Sequence, residues 1–90
     1  MAQYVIEREI PGVGSLSEAA LEEIVRKSVG VLNGMGPEIK WLHSYVTGDK
    51  LYCVYLAPDE ETVLEHARRG GFPANRVSAV RCLLDPTRTG

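Results

Sequence analysis

The side chains that could do chemistry here are few and well separated. There are two histidines, His43 and His66, and two cysteines, Cys53 and Cys82. Two glutamates, Glu7 and Glu9, stand near the start of the chain. Imidazole combined with carboxylate oxygens is a donor set that suits divalent transition metals. Only two imidazoles are present, however, which is a weak signal for a metal centre. The cysteines are about thirty residues apart and form no C-x-x-C, so neither a zinc knuckle nor a redox pair is indicated. Both read as free thiols packed as small hydrophobes beneath helices.

Positioning these groups falls first to the stretch from Ile39 to Ala57, which has the pattern of a β-hairpin. Two runs rich in β-branched and aromatic residues flank Gly48-Asp49, and glycine at the first central position suits a II′ turn. That turn pairs Thr47 with Lys50, Tyr45 with Tyr52, His43 with Val54 and Trp41 with Leu56. The opposite face then carries Leu42, Ser44 and Val46 against Tyr55, Cys53 and Leu51. If Ser44 and Cys53 face helices, His43 lies on the open side with Trp41, Tyr45 and Tyr52. Val5, Glu7 and Arg81 join them there from neighbouring strands. Two readings of His43 follow: an imidazole inside a dimer interface, or a metal ligand near Glu7 or Glu9. On residue chemistry the interface reading comes first.

The remaining elements follow in order. Tyr4 to Glu9 alternates as a strand, with Tyr4 and Ile6 pointing one way and Val5 and Glu7 the other. Pro11-Gly12-Val13-Gly14 ends it. Ser17 caps a helix whose buried stripe is Leu21, Ile24, Ser28, Val31 and Met35, and Asn33-Gly34-Met35-Gly36-Pro37 stops it. A second helix opens at Pro58-Asp59-Glu60-Glu61, buries Val63, Leu64 and Ala67, and ends at Gly70-Gly71. His66, beside that apolar face, reads as a helix-end imidazole bonded to a carbonyl or solvent, or as a ligand in a weak surface site. A last strand is expected from about Arg76 to Leu84, putting Cys82 on the face of Val80 and Leu84.

The order β-α-β-β-α-β is the split βαβ, ferredoxin-like arrangement: an α+β fold with a four-stranded antiparallel sheet and two helices on one face. The right-handed crossover rule places the first and third strands in the middle. Cys53 and Cys82 are then about two strand spacings, roughly 9 to 10 Å, apart, too far for a disulfide. Residues 1–84 form one domain and 85–90 a loose tail.

Other chemistry is argued against. Gly12-Val13-Gly14 lacks the third glycine and the lysine of nucleotide-binding loops, and a tight turn explains it better. The same loop resembles the phosphate-cradling loop of acylphosphatases, but Ser15 and Leu16 stand where that family expects an arginine, and the hairpin has no asparagine. Tyr52 and Tyr55 resemble the stacking aromatics of an RNA-recognition motif, yet the register points them to opposite faces. A net charge of −2 leaves no electrostatic footprint for nucleic acid. No apolar run is long enough to span a membrane, and the N-terminus lacks a signal-peptide pattern, so a cytoplasmic protein is expected.

Beyond these motifs, Trp41 to Thr47, Lys50 to Tyr55, Ala57-Pro58-Asp59-Glu60 and Glu65-His66-Ala67-Arg68 resemble a family of small bacterial nickel-binding, nickel-responsive proteins. The opening Tyr4 to Glu9 followed by Pro-Gly is similar too. The resemblance implies homodimers of ferredoxin-like subunits that hold nickel at surface sites and sequester it, without enzymatic activity. It does not by itself assign ligands, so His43, His66, Glu7 and Glu9 are candidates on chemical grounds. The alternative is a dimeric small-molecule-binding or monooxygenase-like protein that uses the space between sheet and helices and no metal.

Overall fold

The computed structural model describes residues 1–87. Strand β1 (Ala2–Glu9) leads through a single 3₁₀ turn (Val13–Ser15) into helix α1 (Glu18–Met35). The hairpin β2 (Lys40–Val46) and β3 (Lys50–Ala57) follows, then helix α2 (Glu60–Gly70) and a short strand β4 (Arg76–Ala79). The sheet order is β2-β3-β1-β4, all neighbours antiparallel, with β3 and β1 in the middle. This is the ferredoxin-like α+β fold.

Local chemistry explains the ends of the helices. The Ser17 hydroxyl accepts the Ala20 N–H at 3.2 Å, and the Asp59 carboxylate accepts the Thr62 N–H at 2.8 Å. Each satisfies an otherwise unpaired donor of the first turn. Helix α2 stops at Gly71, whose φ of 67° is left-handed. Directly before it, a Cβ on Gly70 would lie 2.2 Å from the Phe72 ring, so glycine there lets the chain fold Phe72 back against the helix end.

The core lies between the sheet and the helices. Ile6, Cys53, Tyr55 and Ala57 from the central strands pack with Val13, Ile39, Leu51 and Val63, all buried. The 3₁₀ turn is tied to the hairpin tip. The Ile10 N–H donates to the Asp49 carbonyl at 2.9 Å, that of Gly12 to the Asp49 carboxylate at 2.9 Å, and that of Gly14 to the Gly48 carbonyl at 3.0 Å. Gly12-Val13-Gly14 is thus a turn seated on a turn.

The structure departs from the sequence reading at four places. A bulge between Trp41 and His43 shifts the register, so Trp41 opposes Tyr55, not Leu56. The indole therefore lies on the helix side of the sheet, and the extra residue, Leu42, is exposed. The hairpin keeps its two-residue loop but is not type II′, because Gly48 has no positive φ. The Thr47 hydroxyl instead accepts the Lys50 N–H at 3.1 Å. Strand β4 ends at Ala79, five residues early. Its neighbour in the sheet is β1, Ala79 faces Tyr4, and after one further hydrogen bond, from the Val80 N–H to the Gln3 carbonyl at 2.8 Å, the chain leaves the sheet. Arg81 and Cys82 consequently lie past the sheet, and Cys82 is exposed, not packed under a helix. Finally, His66 is fully buried, so it is not a surface group. Of the expected loose tail, 85–90, the last three residues lie outside the described ones. No helix among the described residues is long and apolar enough to cross a membrane.

Candidate functional site

Two faces of the sheet carry functional groups. On the open face, His43 on the edge strand β2 is exposed, and its ring meets Tyr45 edge-on at 5.2 Å between centroids. Cross-strand pairs set His43 opposite Val54, with Val5 next in the row, and Tyr45 opposite Tyr52, with Glu7 and then Arg76 further along the row. Tyr45 is 61% exposed, whereas Tyr52, Leu56 and Val5 are half-buried. Glu7 lies 3.7 Å from the Lys50 ammonium. The Glu9 carboxylate accepts from the Asn75 side-chain NH2 at 3.0 Å, and the Glu9 backbone N–H donates to the Asn75 side-chain Oδ1 at 2.7 Å. Strand β3 separates His43 from both glutamates.

His66 belongs to the other face and to a different structure. Its Nε2 lies 3.1 Å from the Tyr55 hydroxyl and 3.2 Å from the Ser28 hydroxyl, while its Nδ1 is buried without a partner. Burial, reinforced by the Arg8 guanidinium, pushes the His66 imidazole from its ordinary value down to about 4. Protonation would place a donor on Nδ1 with nothing to receive it, next to a second positive charge. The ring is therefore neutral at pH 7. Burial also raises the Tyr55 phenol, against the opposing pull of Arg8, so its proton stays on. His43 and His66 lie on opposite sides of the sheet. Among the described residues no three His, Cys, Asp or Glu side chains converge as a metal group.

Arg8 completes this buried cluster, and sequence reasoning passed over it. The guanidinium is 2% exposed; one nitrogen donates to the Pro73 carbonyl, another lies 3.4 Å from the Tyr55 hydroxyl, and its carbon lies 5.4 Å from the Phe72 ring centroid. Strand alternation held the signal: Arg8 shares parity with Tyr4 and Ile6, hence the helix side.

Beneath α1 a cavity of about 170 Å³ opens beside this cluster. Leu21, Ile24, Val25 and Ser28 of α1 cover it, Trp41, Ser44 and Val46 of β2 line its outer side, and Leu51 and Cys53 its floor. Arg8, Tyr55 and Phe72 bound it as well. Trp41 is braced by an indole N–H donated to the Ser44 hydroxyl at 2.9 Å.

Fold and faces together define a small ferredoxin-like α+β protein with an aromatic, histidine-bearing open sheet and a polar cluster under its helices. The chain belongs to the nickel-responsive SCO4226-like protein family, whose pattern matches residues 4–80. The crystal structure of SCO4226 from Streptomyces coelicolor A3(2) is similar with a TM-score of 0.77, covering 92% of this chain and 100% of that one. Sequence identity is 15%, so that likeness speaks to the fold. No curated protein matches the chain.

Proposed function

We propose that this protein binds nickel(II) without catalysing a reaction, as a homodimer joined through its open sheet faces, and that it serves to sequester the metal. Membership of a nickel-responsive family across residues 4–80 is the observation that carries this reading. The residues fit a hydrated surface site, not an enclosed one. Each chain offers one accessible imidazole, His43, and nickel completes its shell there with water or carboxylate oxygens. Glu9, exposed and held only by Asn75, is the freer of the two strand-one carboxylates; Glu7 is engaged by Lys50. His66 has no part in this site, because its ring is fully buried and its Nε2 is already committed to hydroxyls in the core.

Calorimetric titration of nickel into the parent, His43→Ala and His66→Gln tests the assignment. Loss of a full equivalent in His43→Ala alone is the expected result, with affinity falling as pH drops because protons compete for the ligand. Unchanged stoichiometry in His43→Ala removes the imidazole from the site.

A further inference from the structure

We propose that the cavity beneath α1 is a binding site for a small monocarboxylate with an apolar body about the size of one aromatic ring, its anionic group held by Arg8. The inference goes beyond metal binding and does not rest on it, since His43 lies on the opposite face of the sheet.

Charge is the first argument. The Arg8 guanidinium is 2% exposed, yet its neighbours are the Pro73 carbonyl, the Tyr55 hydroxyl and the Phe72 ring, none of them anionic. The ion pairs among the described residues do not include it. Buried charges in proteins are ordinarily paired, because an unpaired one forfeits its hydration. A second cation, Lys27, stands 5.4 Å from the same Phe72 ring and adds to the positive potential. A guanidinium fork beside a space is suited to a carboxylate, which it grips with two hydrogen bonds.

Shape is the second argument. Away from Arg8 the walls are Leu21, Ile24, Val25, Trp41 and Leu51, which favour a hydrocarbon body over a phosphate or a sugar. Engineered apolar cavities of about 150 Å³ hold benzene, and this one measures about 170 Å³. Ser28 and Tyr55 add hydroxyls to the lining, and Val25 and Val46, 42% and 47% exposed, mark the side on which a ligand enters.

The test uses the full chain in metal-free, chelator-containing buffer, with benzoate and hexanoate as probes and benzyl alcohol and hexanol as uncharged counterparts. Amide NMR titration should show saturable shifts at Ser28, Ser44 and Cys53, with at least one acid binding about tenfold or more tightly than its alcohol. Arg8→Met should abolish that preference. Should that variant fail to fold, Val25→Trp decides instead: it sits at an exposed helix position, keeps the fold, closes the mouth and weakens the acid by a similar factor. The proposal is overturned if neither acid gives saturable shifts at millimolar concentration. It is equally overturned if alcohols bind as well as acids, or if Val25→Trp binds the acid like the parent.

Discussion

The Nε2 of His66 stands 3.1 Å from the hydroxyl of Tyr55, joining helix α2 to the central strand β3 through a single buried polar contact. With Ser28 at 3.2 Å from the same nitrogen, both helices and the sheet meet at one imidazole. That ring has a folded pKa of about 4, below its ordinary value.

The consequence is a defined acid sensitivity. A histidine that resists protonation when folded but not when unfolded lets the unfolded chain bind more protons between the two pKa values. Its stabilising contribution is complete above about pH 6.5, declines as pH falls from there to about 4, and is level below; it amounts to roughly 3 kcal/mol. Urea unfolding of the parent and His66→Gln across this range checks it. The parent should lose stability more steeply with falling pH than the variant.

The open sheet face predicts self-association. Tyr45, Tyr52, Val5 and Leu56 lie on one side of the sheet with no helix over them, the kind of apolar face that marks an interaction surface. Sedimentation equilibrium should return twice the chain mass, and Tyr45→Glu should shift it toward the monomer. A concentration-independent monomer mass in the parent would end the dimer.

The two thiols should behave oppositely. Cys53 is buried and Cys82 exposed. A thiol reagent under native conditions should label Cys82 quickly and Cys53 only on unfolding. Cys53→Ala should cost on the order of 1 kcal/mol through lost packing, and Cys82→Ala should be close to neutral.

Two glycines on facing turns separate close approach from turn geometry. A Cβ on Gly14 would lie 2.5 Å from the Thr47 carbonyl oxygen and 2.9 Å from the Gly48 Cα, both backbone atoms with little room to yield. Gly14→Ala should therefore destabilise by about 1 to 3 kcal/mol. At Gly48 a Cβ meets nothing within 4 Å and φ is not positive, so Gly48→Ala should be nearly neutral. A strong penalty at Gly48 would restore the II′ turn.

What could be determined from the sequence alone was whatever depends on neighbours within a few positions. The element order, the Ser17 cap, the helix stop at Gly70-Gly71 and the facing of Cys53 toward the helices all follow from local spacing. The pairing of Tyr45 with Tyr52 and of His43 with Val54 likewise followed from a two-residue loop. Tertiary structure decided the rest. One bulged residue, Leu42, turned Trp41 from the open face to the cavity wall, and alternation cannot reveal an insertion of that kind. The point at which β4 leaves β1, just after the Val80–Gln3 hydrogen bond, is not written in its alternating pattern. His66, Ser28, Tyr55 and Arg8 come from four different elements, and their meeting is a product of how the helices settle on the sheet. Helical periodicity placed His66 next to the apolar stripe. Only the packing of α2 against β3 and α1 withdrew it from water and set it beside a buried positive charge.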